Sequence, residues 1–214
     1  MTTDELYDTI SEQRPSVVYI SGKTSTGKST FGRLLRDKLG YQVIELEAVL
    51  LDIVEAKGFD EQSTFRKVRY EPGDFQEKAL FLDATDTIIA NALAGDQPVV
   101  IEGAIANVET LHRILQPAEG ALFLYFHPAD INIYIRNLTN RFMQSDKDSY
   151  GGLPLKFWEM IDDDEFKSFC KTRQLTQSLR DSIQQYALAS QKESLTRLDE
   201  FKQTFKNIIV VEIR

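Results

Sequence analysis

The sequence predicts an α/β fold in three layers, a five-stranded and mainly parallel sheet between helices, with a helical lid attached. Three observations predict it. Five short β-rich apolar runs, at residues 17–20, 41–46, 99–101, 121–126 and 208–213, alternate with amphipathic helical stretches, the pattern of buried parallel strands joined by helical crossovers. The first run passes through a loop flanked by Gly22 and Gly27 straight into a helical pattern. A chain of 214 residues buries one good core and leaves little for a second full-sized domain, so residues 1–214 read as a single domain.

The helix after the first run spaces Phe31, Leu34, Leu35 and Leu39 along one face, turns Arg33, Arg36, Asp37 and Lys38 outward, and stops at Gly40. A second helix is expected over residues 75–94, ending at Gly95. A third, opened by Pro128, carries Ile131, Tyr134, Ile135, Leu138 and Phe142 on one face. Between residues 145 and 165 the texture changes to Asp, Lys, Ser, Gly-Gly and Pro, followed by Phe157, Trp158 and the acidic run 162–165. This reads as a mobile excursion, part of a lid at about residues 136–180, and not as a linker between domains. Residues 174–206 are helical by composition, with Leu175, Leu179, Ile183 and Tyr186 and then Leu195, Leu198, Phe201 and Phe205 as apolar faces. No internal repeat or low-complexity tract interrupts the chain.

Charge and cysteine usage narrow the function classes. With 25 Lys+Arg against 33 Asp+Glu the net charge is −8, which repels nucleic acid and anionic lipid surfaces. One cysteine, Cys170, cannot form an internal disulfide, and two histidines, His112 and His127, leave little for a zinc site. The first residues are acidic and lack an apolar signal core, and no run reaches the length of a membrane span. The expectation is a soluble cytoplasmic protein with neither a nucleic-acid nor a membrane partner; the oligomeric state, a homo-oligomer included, stays open.

The sharpest motif is Gly22-Lys23-Thr24-Ser25-Thr26-Gly27-Lys28-Ser29, followed by Thr30. Its Gly-x-x-x-x-Gly-Lys-Ser spacing stands where such a pattern must stand, after a strand and at the start of a helix. Glycines let successive N–H groups turn into one anion-sized hollow, and the helix start adds partial positive charge. ATP is the expected occupant. Lys28 would reach the terminal phosphates, and the Ser29 hydroxyl would join the shell of a Mg2+ ion, which prefers hard oxygen ligands.

Carboxylates and arginines surround this loop. Ile44-Glu45-Leu46-Glu47 reads as the end of the second strand, with period-two alternation placing both acids on one face. Ligands gather at the carboxyl ends of parallel strands, and Glu47, nearer the end, is the candidate general base. Val99-Val100-Ile101-Glu102-Gly103 puts an acid at the tip of an apolar strand. Burial there without a partner is costly, and a magnesium ion is a fitting one. Gly103 removes a side chain where another backbone or a ligand comes close. Arg136 and Arg141, late in the third amphipathic helix, are placed for a closing lid to bring against developing phosphoryl charge.

In order along residues 16–142, these segments resemble the uridine kinase and phosphoribulokinase group of P-loop kinases, which includes bacterial pantothenate kinase. Residues 20–31 look like its nucleotide loop, and residues 44–47 stand where the group has a strand ending in a catalytic aspartate, here Glu47. Tyr70-Glu71-Pro72-Gly73-Asp74-Phe75 is similar to its substrate-side stretch, so the resemblance implies acceptor contacts at Tyr70 and Asp74. Residues 100–104 look like its third-strand motif, and residues 122–141 like its strand and arginine-bearing lid helix. Only Gly95-Asp96-Gln97-Pro98 stands where uridine kinases carry a longer substrate-contacting hairpin. The expected activity is transfer of the γ-phosphate of ATP to a hydroxyl of a nucleoside or similar metabolite. The alternative is a P-loop ATPase that acts as a nucleotide-dependent regulatory or binding module. No Asn-Lys-x-Asp guanine-reading run is present.

Overall fold

The computed structural model of the protein describes residues 2–95, 97–116, 120–145 and 153–213. Strands β1 (Val17–Gly22), β2 (Gln42–Glu45), β3 (Val99–Glu102), β4 (Leu122–His127) and β5 (Ile208–Glu212) form one sheet in the order β2-β3-β1-β4-β5. Every pairing is parallel, so the expected sheet is present and is parallel throughout.

Two cores arise from the two-residue period of the strands. Val17 and Tyr19 of β1 join Ile44, Ile101 and Phe123 on one face, while Val18 and Ile20 join Val100, Leu124 and Phe126 on the other. The first face is covered by α3 (Leu46–Lys57), α5 (Gln76–Ala94), α6 (Val108–Leu115) and the later part of α10 (Gln177–Thr204), through residues such as Leu50, Phe81, Ile114 and Phe201. The second is covered by α1 (Thr3–Gln13) and α2 (Lys28–Leu39), through Leu6, Ile10, Phe31 and Leu35. Helix, sheet and helix make three layers, each apolar stripe finding a sheet face to cover it.

A third core stands apart from the sheet. It is built by α7 (Ile131–Met143), α8 (Leu155–Trp158), α9 (Asp163–Thr172) and the first half of α10, around Leu138, Phe142, Phe157 and Ile183. Phe142 is at its centre, its ring centroid 4.6 Å from that of Phe169 and 5.8 Å from that of Phe157. Within the stretch expected as an excursion over residues 145–165, the described part carries α8 and the start of α9. Aromatic side chains spaced along α8 and α9 bury one another. Residues 146–152 of that stretch lie outside the described residues.

Some element boundaries are corrected. The second strand was expected to reach Glu47, but β2 ends at Glu45 and α3 begins at Leu46. Among the described residues β2 is an edge strand that pairs with β3 alone, and β3 ends with Glu102 opposite Glu45. Past that point Leu46, Val49, Leu50 and Ile53 fall at helical spacing and pack into the first core. Glu45 and Glu47 thus share no strand face: one precedes the helix and the other sits in its first turn. Helix α7 starts after Asp130, not Pro128, because the Asp130 carboxylate accepts the free N–H groups of Asn132 and Ile133. Helix α10, capped by Thr176, runs 28 residues without a break. Among the described residues no helix is long and apolar enough to cross a membrane.

Candidate active site

The carboxyl end of β1 lies between β3 and β4, with Ile20 opposite Glu102 and Gly22 opposite Phe126. Connections leave such a point in opposite directions and open a crevice. Gly22 turns the chain there at φ 136°, and a Cβ on it would lie 2.3 Å from the Phe126 carbonyl oxygen, so no side chain fits. The loop then reaches α2, which begins at Lys28. No side chain caps this helix and no acid occupies its first turn, where Ser29 and Thr30 are exposed. Its free N–H groups and partial positive charge are left for an anion.

Within the loop the carbonyl of Lys23 is a hub, accepting hydrogen bonds from Lys28 Nζ at 2.8 Å and Thr26 Oγ1 at 2.6 Å. Burial pushes the Lys28 ammonium down to about 8; Arg141 and Arg69 add to the shift, and Glu102 and Glu47 oppose it. A polyphosphate beside this nitrogen would restore its proton. Ser25 sits in the left-handed region at φ 63°, with its hydroxyl buried and unbonded.

Ser29 Oγ donates to Glu102 Oε1 at 2.7 Å, while Glu102 Oε2 is buried with no hydrogen-bond partner. Burial raises the affinity of this carboxyl for its proton, against the Ser29 hydrogen bond and the nearby Lys28 charge. A hydroxyl and an orphaned carboxylate oxygen in contact, next to the phosphate hollow, fit a hard dication such as Mg2+. Among the described residues no group of three or more His, Cys, Asp or Glu is gathered, so phosphate and water would supply most of such an ion's shell. Gly103 follows, and a Cβ there would lie 2.8 Å from atoms of the Leu46 side chain.

Glu47, though helical, still reaches the site. Its Oε2 lies 3.1 Å from Arg69 Nη2. Arg69, the last residue of α4 (Glu61–Arg69), is held from several sides. Its carbonyl accepts the N–H groups of Ala106 and Asn107 at 2.9 and 2.8 Å, and its guanidinium lies 4.6 Å from the centre of the Phe65 ring. On α7, Asn137 Nδ2 donates to the Ser25 carbonyl at 3.4 Å, and Arg141, one turn further on, bears on the Lys28 charge. Arg136 is exposed and lies about 100° around the helix from Asn137. The structure thus brings Arg141 to the loop and leaves Arg136 off that ridge.

A cavity of about 870 Å3 opens onto the loop, and its wall includes Gly22, Lys23, Thr24, Glu47 and Tyr70. Asp74 is exposed and is not part of that wall. Instead, the turn before α5 is closed by Lys78, whose ammonium donates to the carbonyls of Glu71 and Gly73 at 2.7 and 2.8 Å. Several residues of the site carry no motif: Arg69, Asn137, and Glu193 of α10, whose carboxylate meets Lys23 at 2.9 Å. For Asn137 a signal existed, since it stands one helical turn before Arg141. For Arg69 and Glu193 only the folded chain supplies it.

No protein-family model and no curated protein matches this chain. Solved structures do resemble it. The Thermus thermophilus protein TT1252 is 17% identical over 94% of this chain and 89% of its own, with a TM-score of 0.50. A gluconokinase from Sinorhizobium meliloti 1021 is 15% identical over 93% and 83%, with a TM-score of 0.47. A sugar kinase from Janibacter sp. HTCC2649 is 12% identical over 92% and 84%, with a TM-score of 0.45. Likeness at these identities is a likeness of fold.

Proposed function

We propose that the protein is a magnesium-dependent phosphotransferase that passes the γ-phosphate of ATP to a hydroxyl of a small molecule. The observation that carries this reading is a shared wall: the cavity of about 870 Å3 begins at Gly22, Lys23 and Thr24 of the loop and has Glu47 at its side. A triphosphate in the loop would direct its last phosphate into a space large enough for a second molecule. A switch protein that only hydrolyses nucleotide needs room for a water. The order of motifs shared with the uridine kinase and phosphoribulokinase group supports the same reading.

In this reading the amides of residues 22–30 hold the triphosphate, and the Lys28 ammonium meets its terminal oxygens. Ser29 and Glu102 hold the metal, which when bound supplies charge neutralisation across the phosphates. The acceptor oxygen bonds to the γ-phosphorus as the bond from that phosphorus to the bridging oxygen breaks, and ADP leaves with the electron pair. Glu47 takes the acceptor's proton. Arg69 engages one of its oxygens, which leaves the other to face the hydroxyl. Arg141 faces the charge spread over the transferred group, and Tyr70 touches the acceptor. Arg136 and Asp74 have no such place without movement of their segments. The helices of the third core would act as the lid, excluding water from the transfer.

The test is ADP release by the full chain with ATP, magnesium and a panel of hydroxylated metabolites. One or more acceptors are expected to raise the rate. Lys28→Ala and Glu47→Gln should each lower it by about a hundredfold or more, with Glu47→Gln still binding ATP. Absence of ATP binding by calorimetry, or a rate that no hydroxylated compound changes, would overturn the proposal.

A further inference from the structure

The wall of the cavity holds many charges, yet its cations are already engaged. Lys23 meets Glu193 at 2.9 Å, Arg69 meets Glu47 at 3.1 Å, and Arg66 meets Glu71 at 2.7 Å. Arg197 meets Glu200 at 3.0 Å and also donates to the Ala106 carbonyl at 2.6 Å. Lys156 lies 3.8 Å from the carboxylate that Lys23 already holds. The wall carries five acids, Glu47, Asp60, Glu61, Glu159 and Glu193, against these five cations, and the partners Glu71 and Glu200 behind it bring the carboxylates around them to seven. Glu61 and Glu159 face the cavity and form no ion pair among the described residues, and Asp60 caps α4 through the Ser63 N–H.

From this we infer that the acceptor is an uncharged polyol, a sugar ring taken free or within a nucleoside, and not a phosphorylated or carboxylated metabolite. The inference rests on the kinase reading above and adds the charge of the substrate to it. An anionic acceptor would have to part an ion pair, leaving a carboxylate uncompensated, or lie against the unpaired acids. Hydroxyls meet neither penalty. Each both donates and accepts, so a polyol bonds to the carboxylate and the guanidinium of one pair without separating them. Aromatic side chains complete the match. Tyr70, Tyr186 and Phe201 line the same cavity, and rings of this kind take the apolar C–H face of a sugar or the plane of a base while hydroxyl edges turn to polar groups.

The experiment compares matched acceptors at fixed Mg2+ and ATP: ribose with ribose 5-phosphate, glucose with glucose 6-phosphate and gluconate, and nucleosides with their monophosphates. At least one uncharged member should release ADP, with kcat/KM at least about tenfold above that of its anionic counterpart. Sugars and nucleosides form separate arms, so the panel also tells which of them carries the hydroxyl. In Glu159→Lys, an added cation should move that ratio toward the anion by about fivefold or more and leave the KM for ATP unchanged. Turnover of the anionic members alone, no turnover of any member by a protein that binds ATP, or a ratio that Glu159→Lys does not move would overturn the inference. Failure to bind ATP at all would instead remove the kinase reading beneath it.

Discussion

Glu193 Oε2 on α10 lies 2.9 Å from Lys23 Nζ in the phosphate loop. The pair ties the loop to a helix whose earlier half builds the third core and whose later half packs on the sheet. Because the Lys23 carbonyl holds both Lys28 and Thr26, whatever steadies Lys23 steadies the loop lysine as well. Burial lowers the proton affinity of the Lys23 ammonium and Glu193 opposes it. For Glu193, burial acts to raise the carboxyl, but the Lys23 hydrogen bond and charge prevail and hold it below its ordinary value.

Glu193→Gln should therefore act on nucleotide binding more than on turnover. A pair this open to solvent contributes about 1 kcal/mol or less after screening, so the KM for ATP is expected to rise about two- to fivefold, with kcat changed less. Steady-state kinetics on Lys23→Ala, Glu193→Gln and the double variant check this. The double variant should be no worse than the poorer single one, the signature of two groups acting through one contact. Strictly additive losses would deny the coupling.

A second prediction concerns pH. Lys28 in the free protein is pushed down to about 8 from 10.5, so between those values the unfolded chain holds a proton that the folded chain has lost. Stability of the free protein, as far as Lys28 governs it, rises with pH across that window and carries the full penalty of the buried charge below it. ATP reverses the shift by placing negative charge at the ammonium. Binding at about pH 9 should then take up close to one proton at Lys28, and affinity should fall as pH climbs above about 8. Calorimetry in two buffers of different ionisation enthalpy measures the uptake. Lys28→Met should abolish it; unchanged uptake in that variant would assign the proton elsewhere.

The parallel strands were legible because strands buried on both faces must be apolar at every position, as in Val17-Val18-Tyr19-Ile20 and Val99-Val100-Ile101. The loop was legible for a different reason: its glycines and lysine have a fixed spacing that the phosphate hollow demands. Around Glu47 the local pattern misled. Ile44-Glu45-Leu46-Glu47 alternates as a strand does, and the strand ends where β3 stops offering hydrogen bonds, at Glu102, which no window on residues 41–47 contains. The contact between Lys23 and Glu193 had no local signal of any kind, since it joins the first loop to the last helix. Arg69 belongs to no motif, and only the folded chain brings its carbonyl, its ring contact and its carboxylate partner to one place.

The last prediction separates a metal-holding role for Glu102 from a structural one. Burial raises the proton affinity of this carboxyl in the folded protein. Its contribution to stability is thus complete below the ordinary value of 4.5 and is lost as pH rises through the raised folded value, leaving a disfavoured charge at neutral pH. Glu102→Gln keeps an oxygen to accept from Ser29 Oγ and removes that charge. The variant should melt at or above the wild-type temperature at pH 7 without ligands, by circular dichroism or calorimetry. The gain in ATP affinity that Mg2+ confers on the wild type should shrink by about tenfold, because the oxygen left without a partner is replaced by an uncharged amide. A melting temperature that drops while the magnesium dependence of ATP binding stays whole would show that the carboxylate serves the strand end and not an ion.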